Sequence, residues 1–366
     1  MVLANSTLHL RLRDYDHFVA GSICGVLSVA GLVTNFSVGI FVLRLKVLSP
    51  QFAILCASLA AADCGVLACF AFWATPMLYS QSALSIAFIG RKVGQVSLFF
   101  WFANLYATLA IAVNRFLAIS LPHLYKHWFT PPITFKIVLL CWLVALGHFC
   151  LYFLEDCHFY FDPERFIWTY APTPCGQFAA IYLDLCYGVL FFVIIFGLNI
   201  ATLLKIHRVN SGFKRQRAER SVPKTEKQRR SAQRRYKREV HFFVQACINA
   251  TAFELMLISF HGFSRFFDSK WGLFVTTGVA WLVSHSTNGF ILLAFNGELR
   301  EGMMRFYCCL PLNEAGTNVR IRTGFATASQ DGESRTDTNT DAIECRTMLE
   351  RRTENGTSVT EIKSSS

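Results

Sequence analysis

The sequence predicts an all-α membrane protein, a seven-transmembrane helix bundle with a short amphipathic eighth helix. Three observations carry that expectation: a composition too apolar for water, seven charge-poor runs long enough to cross a bilayer, and an uneven distribution of Lys and Arg among the connections. Of 366 residues, 53% are hydrophobic, 16% are charged and 35 are Phe, whereas soluble domains carry about 25% charge. A hydrocarbon core of about 30 Å takes roughly 20 apolar residues in a helix. Runs of that length recur at 18–43, 52–76, 93–119, 133–154, 178–204, 241–263 and 271–295.

Met1 to His17 carries Arg11, Arg13, Asp14 and Asp16 and no apolar core. No signal peptide is expected there, and the first span serves as the targeting signal. Basic residues near helix ends resist translocation, and the 205–240 connector holds 14 Lys and Arg while all outer segments together hold seven. The expected topology has residues 1–17 outside the cell, 18–310 as the bundle, 205–240 as a basic inner loop, and 311–366, rich in Ser, Thr, Asn and Glu, as a disordered cytoplasmic tail. The sequon Asn5-Ser6-Thr7 agrees, because only a lumenal N-terminus could be glycosylated at Asn5. The net charge of +11 does not point to nucleic acid, since the positive-inside pattern accounts for it. The basic loop can attract anionic lipid and a partner protein.

Eight of the 13 cysteines lie within spans, where Cys acts as a small apolar residue. Cys157 and Cys175 both fall in the outer loop 155–177, an oxidising place, and no other outer segment has a Cys. A disulfide between them is expected, worth about 3 kcal/mol by loop closure and holding a lid over the outer mouth; two free thiols are the alternative. Cys308 and Cys309 follow the amphipathic stretch 298–308 and fit palmitoylation, with unmodified interfacial thiols as the other reading.

Polar side chains at lipid depth are costly and face the bundle interior. Asn35, Asp63, Asn104, Ser284, His285 and Asn288 are expected to converge near mid-membrane around Asp63. A buried carboxyl must be neutralised, paired or bound to a cation. Three arrangements stay open: a cation held by Asn and Ser oxygens, a hydrogen-bonded network without metal, or a charge pair with His285. Asn114-Arg115-Phe116 sets a guanidinium at the inner end of span three, free to pair with an acid such as Glu239, to dock on a partner's carbonyls, or merely to snorkel. Asp184 and Glu254, with Trp101, Trp281 and His148, could line a small-molecule pocket in the outer half, although membrane Trp residues also pack or anchor interfaces.

In this order the chain resembles rhodopsin-like G-protein-coupled receptors over most of residues 18 to 308. Gly31 to Asn35 is similar to the first-helix GN pattern, Leu59 to Asp63 to the second-helix LAxxD, Asn114-Arg115-Phe116 to the third-helix DRY, Trp142 to the fourth-helix tryptophan, and 298–308 to the interfacial eighth helix. The resemblance implies sodium at Asp63 and G-protein coupling through Arg115. The chain departs from it at Asn114, which replaces the acid; at Asn288-Gly289-Phe290-Ile291-Leu292, which lacks the Pro and Tyr of NPxxY; and at 90–95, which lacks the Cys that usually binds the outer loop. Asp156-Cys157-His158-Phe159-Tyr160-Phe161-Asp162-Pro163 with Pro174-Cys175, Pro76-Met77 and Gly94-Gln95 resembles, more narrowly, the nematode serpentine receptor class X chemoreceptors.

That resemblance implies a plasma-membrane chemosensory receptor, amino end outside, that binds a small extracellular ligand and activates a heterotrimeric G protein. It implies no enzyme activity, no nucleic-acid partner, and no cofactor apart from the sodium at Asp63. A receptor for a peptide or endogenous neuromodulator, or a transporter, is the alternative. An opsin would need a Lys in span seven for its Schiff base, and 271–295 has none. A transporter would show internal repeats and helices broken at midplane, which this sequence lacks.

Overall fold

The structure, a computed structural model, describes residues 2–45, 48–154, 156–219, 244–245 and 247–307. Glu239, Cys308, Cys309, the tail 311–366 and much of the basic connector lie outside the described residues, as does the side chain of Asn5. Six described helices are long and apolar enough to cross a membrane: α1 from Asp14 to Arg44, α2 Pro50–Ser80, α3 Phe88–Ser120, α4 Pro131–Leu151, α5 Pro174–Arg208 and α7 Lys270–Phe295. The described part of the expected span 241–263 is helical over 247–261 and forms α6. An amphipathic α8, Gly297–Tyr307, closes the bundle.

Local chemistry starts these helices where they start. Pro stands in the first turn of α2, α4 and α5, where its missing N–H costs nothing. The Thr173 hydroxyl accepts from Gly176 N at 3.0 Å before α5, and the Ser269 hydroxyl from Gly272 N at 3.1 Å before α7, each satisfying one orphan amide. α3 ends at Leu121, and Pro122 opens a separate short helix to Trp128 on the inner side. Asn296 Oδ1 accepts from Leu299 N at 3.3 Å at the head of α8. Leu299 and Met303 bury the apolar face of α8 in the inner core, while Glu301 pairs with Arg305 one turn on.

Three helices widen into π turns: Phe70–Ala74 in α2, Ala179–Cys186 in α5 and Phe274–Val279 in α7. In α2, Pro76 removes one backbone bond and crowds the carbonyl one turn back, and the wide turn before it takes up that conflict. Two apolar clusters fill the interior. The outer one includes Trp101, Phe102, Trp168 and Trp281, and the inner one Phe52, Ile111, Leu292 and Met303. The outward faces of α4 and α5 expose Leu139, Leu140, Leu143, Leu190, Val193 and Phe196. Facing hydrocarbon they lose nothing by exposure; facing water they would form a large apolar patch.

The outer loop between α4 and α5 departs from the all-helical expectation. It folds into an antiparallel hairpin of β1, Phe159–Asp162, and β2, Ile167–Tyr170, with Phe159 opposite Tyr170 and Phe161 opposite Trp168. Side chains alternate across a strand, so these four aromatics share one face, and the buried Phe159, Phe161 and Trp168 press it down into the helices. Asp162 Oδ1 accepts from Glu164 N at 2.9 Å, the Asx turn that reverses the chain. Phe166 closes the turn at φ 60°, costly for a bulky residue, and is held by complete burial against His17, Trp271 and Phe274.

Gly94 of α3 lets the hairpin approach, since a Cβ there would fall 1.9 Å from Phe159 O. Cys157 and Cys175 are disulfide-bonded across the base of the hairpin, with Cα atoms 4.9 Å apart. Replacing both by Ser is expected to destabilise the protein by about 2–4 kcal/mol. The measurement is the melting temperature in micelles, and a double variant that melts with the parent would show that the bond contributes nothing.

Candidate functional site

A narrow cleft of about 20 Å³ lies under the hairpin between α3, α5, α6 and α7. Its walls are aromatic, from Trp101, Phe159, Phe260 and Trp281, and aliphatic, from Leu98, Met256 and Leu257. Its polar groups are Asp184 and His261. Asp184 lies in the π turn of α5 and is buried to 7% exposure. Its Oδ2 accepts from the Tyr170 hydroxyl at 3.0 Å and lies 3.0 Å from His261 Nε2. Burial first, and the Asp184 carboxylate next, push the Tyr170 phenol well above its ordinary range, so it remains a donor.

Beneath the cleft sits the polar core. Asp63 Oδ1 accepts from Asn104 Nδ2 at 2.7 Å and from His285 Nδ1 at 2.7 Å, and Oδ2 from Asn288 Nδ2 at 2.9 Å. Trp281 Nε1 donates to His285 Nε2 at 2.8 Å. Because that nitrogen accepts, the imidazole proton sits on Nδ1 and the ring is not an imidazolium, which removes the charge-pair arrangement. Asn288 Oδ1 accepts from Asn249 of α6 at 2.7 Å, and Asn35 Nδ2 donates to His285 O at 3.0 Å. The network therefore ties α1, α2, α3, α6 and α7 together, and all of its bonds are directional.

At Asp63 a sodium ion would compete with donors already in place. A small hard cation needs oxygen ligands, and here both Asp63 oxygens meet N–H donors from His285, Asn104 and Asn288.

The expected site residues are partly brought together. Asn35, Asp63, Asn104, His285 and Asn288 converge, whereas Ser284 is half-buried and makes no hydrogen bond to them. Trp101, Asp184 and Trp281 line the cleft; Glu254 is buried on α6 but does not. His148 sits apart, its Nε2 3.1 Å from the Tyr106 hydroxyl, which is 2.8 Å from that of Tyr187. The sequence reading missed His261, Phe260 and Phe159 of the cleft, Asn249 of the network and Phe52. Only His261 and Asn249, polar residues at lipid depth in span six, gave a signal that could have found them. Near the inner end of α3, Asn114 and Arg115 are both buried, and the Arg115 guanidinium carbon lies 3.5 Å from the centre of the Phe52 ring on α2.

The fold is a seven-helix membrane bundle of the rhodopsin architecture. Squid rhodopsin superposes with a TM-score of 0.66 over 82% of this chain and 89% of that one, at 13% identity. The chain belongs to the serpentine type 7TM GPCR chemoreceptor Srx family, whose pattern it matches over residues 26–296. Among similar proteins, serpentine receptor class X 45 of Caenorhabditis elegans is 24% identical over 294 residues, covering 77% of this chain and 79% of that protein. Serpentine receptor class X-43 of the same organism is 26% identical over 302 residues, covering 79% and 88%. The chain is thus a chemosensory receptor of the G-protein-coupled type, spanning the membrane several times.

Proposed function

We propose that a small molecule arriving from outside the cell binds in the cleft, and that the polar core passes its presence to a heterotrimeric G protein at the inner face through Arg115. The observation that carries this reading is the double role of Trp281. Its ring walls the cleft while its N–H donates to His285, which donates in turn to Asp63. A ligand that moves the ring must lengthen or break the first bond of a chain reaching α2, α3 and α6. A shift there is worth something only if the network has two arrangements of different ligand affinity.

The amino end faces outward and the 205–240 connector inward in the plasma membrane. The narrowness of the cleft favours a compact ligand over a peptide. Trp281→Phe keeps the ring and removes the N–H. In cells carrying a G-protein dissociation reporter, screened with a library of small odorants, this variant is expected to bind hits unchanged and to lose most of the response. Thermal stabilisation of purified receptor measures the binding half. Equal loss of binding and response, or of neither, would reject the relay. Tags at residue 1 and in the connector, probed in intact and permeabilised cells, check the topology.

A further inference from the structure

We infer that the cleft selects a small organic cation, a protonated amine, with Asp184 as its anchor. This rests on reading the cleft as the ligand site. The argument is an inventory of unused hydrogen-bonding groups facing the space. Tyr170 and His261 both address Oδ2 of Asp184, which leaves Oδ1 without a hydrogen bond among the described residues. His261 Nε2 faces a carboxylate oxygen and therefore donates to it. The one N–H of Trp281 is committed to His285.

What the Asp184 end of the cleft offers a ligand is therefore acceptor capacity, a carboxylate oxygen above all. No Lys or Arg lines the cleft. A ligand must bring the donor, and a positively charged donor gains twice. It makes a charge-assisted bond to Oδ1, and it lies among Trp101, Phe159, Phe260 and Trp281, whose ring faces attract cations. A carboxylic acid of the same size would meet Asp184 with like charge. A neutral alcohol could donate one bond but would forgo the ring attraction.

The test is thermal stabilisation of the full-length receptor in micelles, titrated with phenethylamine, n-hexylamine, 2-phenylethanol, 1-hexanol and hexanoate. The two amines are expected to stabilise at concentrations roughly 10- to 100-fold below the matching alcohols, the range a charge-assisted bond supplies, with hexanoate inert. Asp184→Asn is expected to erase that preference and Asp184→Glu to keep most of it. Because Asp184→Asn also disturbs Tyr170 and His261, the preference is read as a ratio within each variant, independent of its own melting point. Alcohols or hexanoate acting as well as the amines, amines inert up to the millimolar range, or a preference that survives Asp184→Asn would each overturn the assignment. Leu257→Trp, which fills the space, separates the two levels. Stabilisation by alcohols or hexanoate that this variant abolishes leaves the cleft as the site and rejects the amine. Stabilisation that it leaves intact rejects the cleft as well.

Discussion

Asp63→Ala is expected to lower the stability of the receptor by about 3 kcal/mol, in the range found when one partner of a buried polar cluster is removed. The substitution strips a shared acceptor from three donors at once: His285 Nδ1, Asn104 Nδ2 and Asn288 Nδ2. His285 and Asn104 cannot turn to water, because the cluster lies between two apolar cores, and Asp63 and His285 are each only 1% exposed. Polar bonds inside a bilayer are individually worth about 0.6 kcal/mol in measured cases. The larger figure here comes from leaving three donors unpaired together. The melting temperature in micelles and the fraction of receptor reaching the cell surface should both fall, and an Asp63→Ala receptor as stable as the parent would show that the network does not hold the bundle.

The same shell makes a second outcome specific. Replacing sodium chloride by choline chloride at equal ionic strength should leave the melting temperature of the parent unchanged. A sodium-dependent rise that disappears in Asp63→Ala would reinstate the ion.

These two outcomes turn on details that one sequence does not carry. Length and apolarity of the spans come directly from the solvent, so every membrane-length helix was legible, including α6, whose described part falls inside its expected bounds. The convergence of Asn35, Asp63, Asn104, His285 and Asn288 was legible for the same reason, because a polar group at lipid depth has to face inward. Ser284 was misplaced since Ser can bond its own helix or stay half-buried at small cost. Which of three electrostatic arrangements Asp63 adopts depends on the direction of a single proton on His285, set by Trp281 four residues away.

The hairpin was hidden for a different reason. His158-Phe159-Tyr160-Phe161 is aromatic at every position, so the period of two that marks a strand has no contrast to show. Its cysteines were readable from compartment alone. The cleft was half legible: Asp184, Trp101 and Trp281 stood out as unusual residues, while Met256, Leu257 and Phe260 are indistinguishable in sequence from lipid-facing neighbours on the same helix.

At the inner face, the expected result concerns Phe52, which no motif marked. In the rhodopsin-like pattern an acid precedes the third-helix arginine, and here that place is taken by Asn114. The structure sets the Arg115 guanidinium over the Phe52 ring instead, at 3.5 Å. A desolvated cation–π contact is worth about 1–2 kcal/mol, which corresponds to a shift of roughly 5- to 30-fold between a restrained and a released arginine. Phe52→Ala is therefore expected to raise ligand-independent G-protein activation several-fold at equal surface expression, because Arg115 no longer has the ring that holds it against α2. Phe52→Leu, which keeps the packing volume but not the ring face, should raise it as well. Arg115→Ala in either background should return the signal to that of untransfected cells, since the residue proposed to engage the partner is gone. The dissociation reporter used for the ligand screen reads all of these. A basal signal unmoved by both Phe52 variants would remove the restraint, and one that persists in the Arg115→Ala double variants would remove Arg115 from the coupling surface. The two failures are separable because the first concerns only what holds the guanidinium in the resting bundle, whereas the second concerns what the guanidinium does once the helices part.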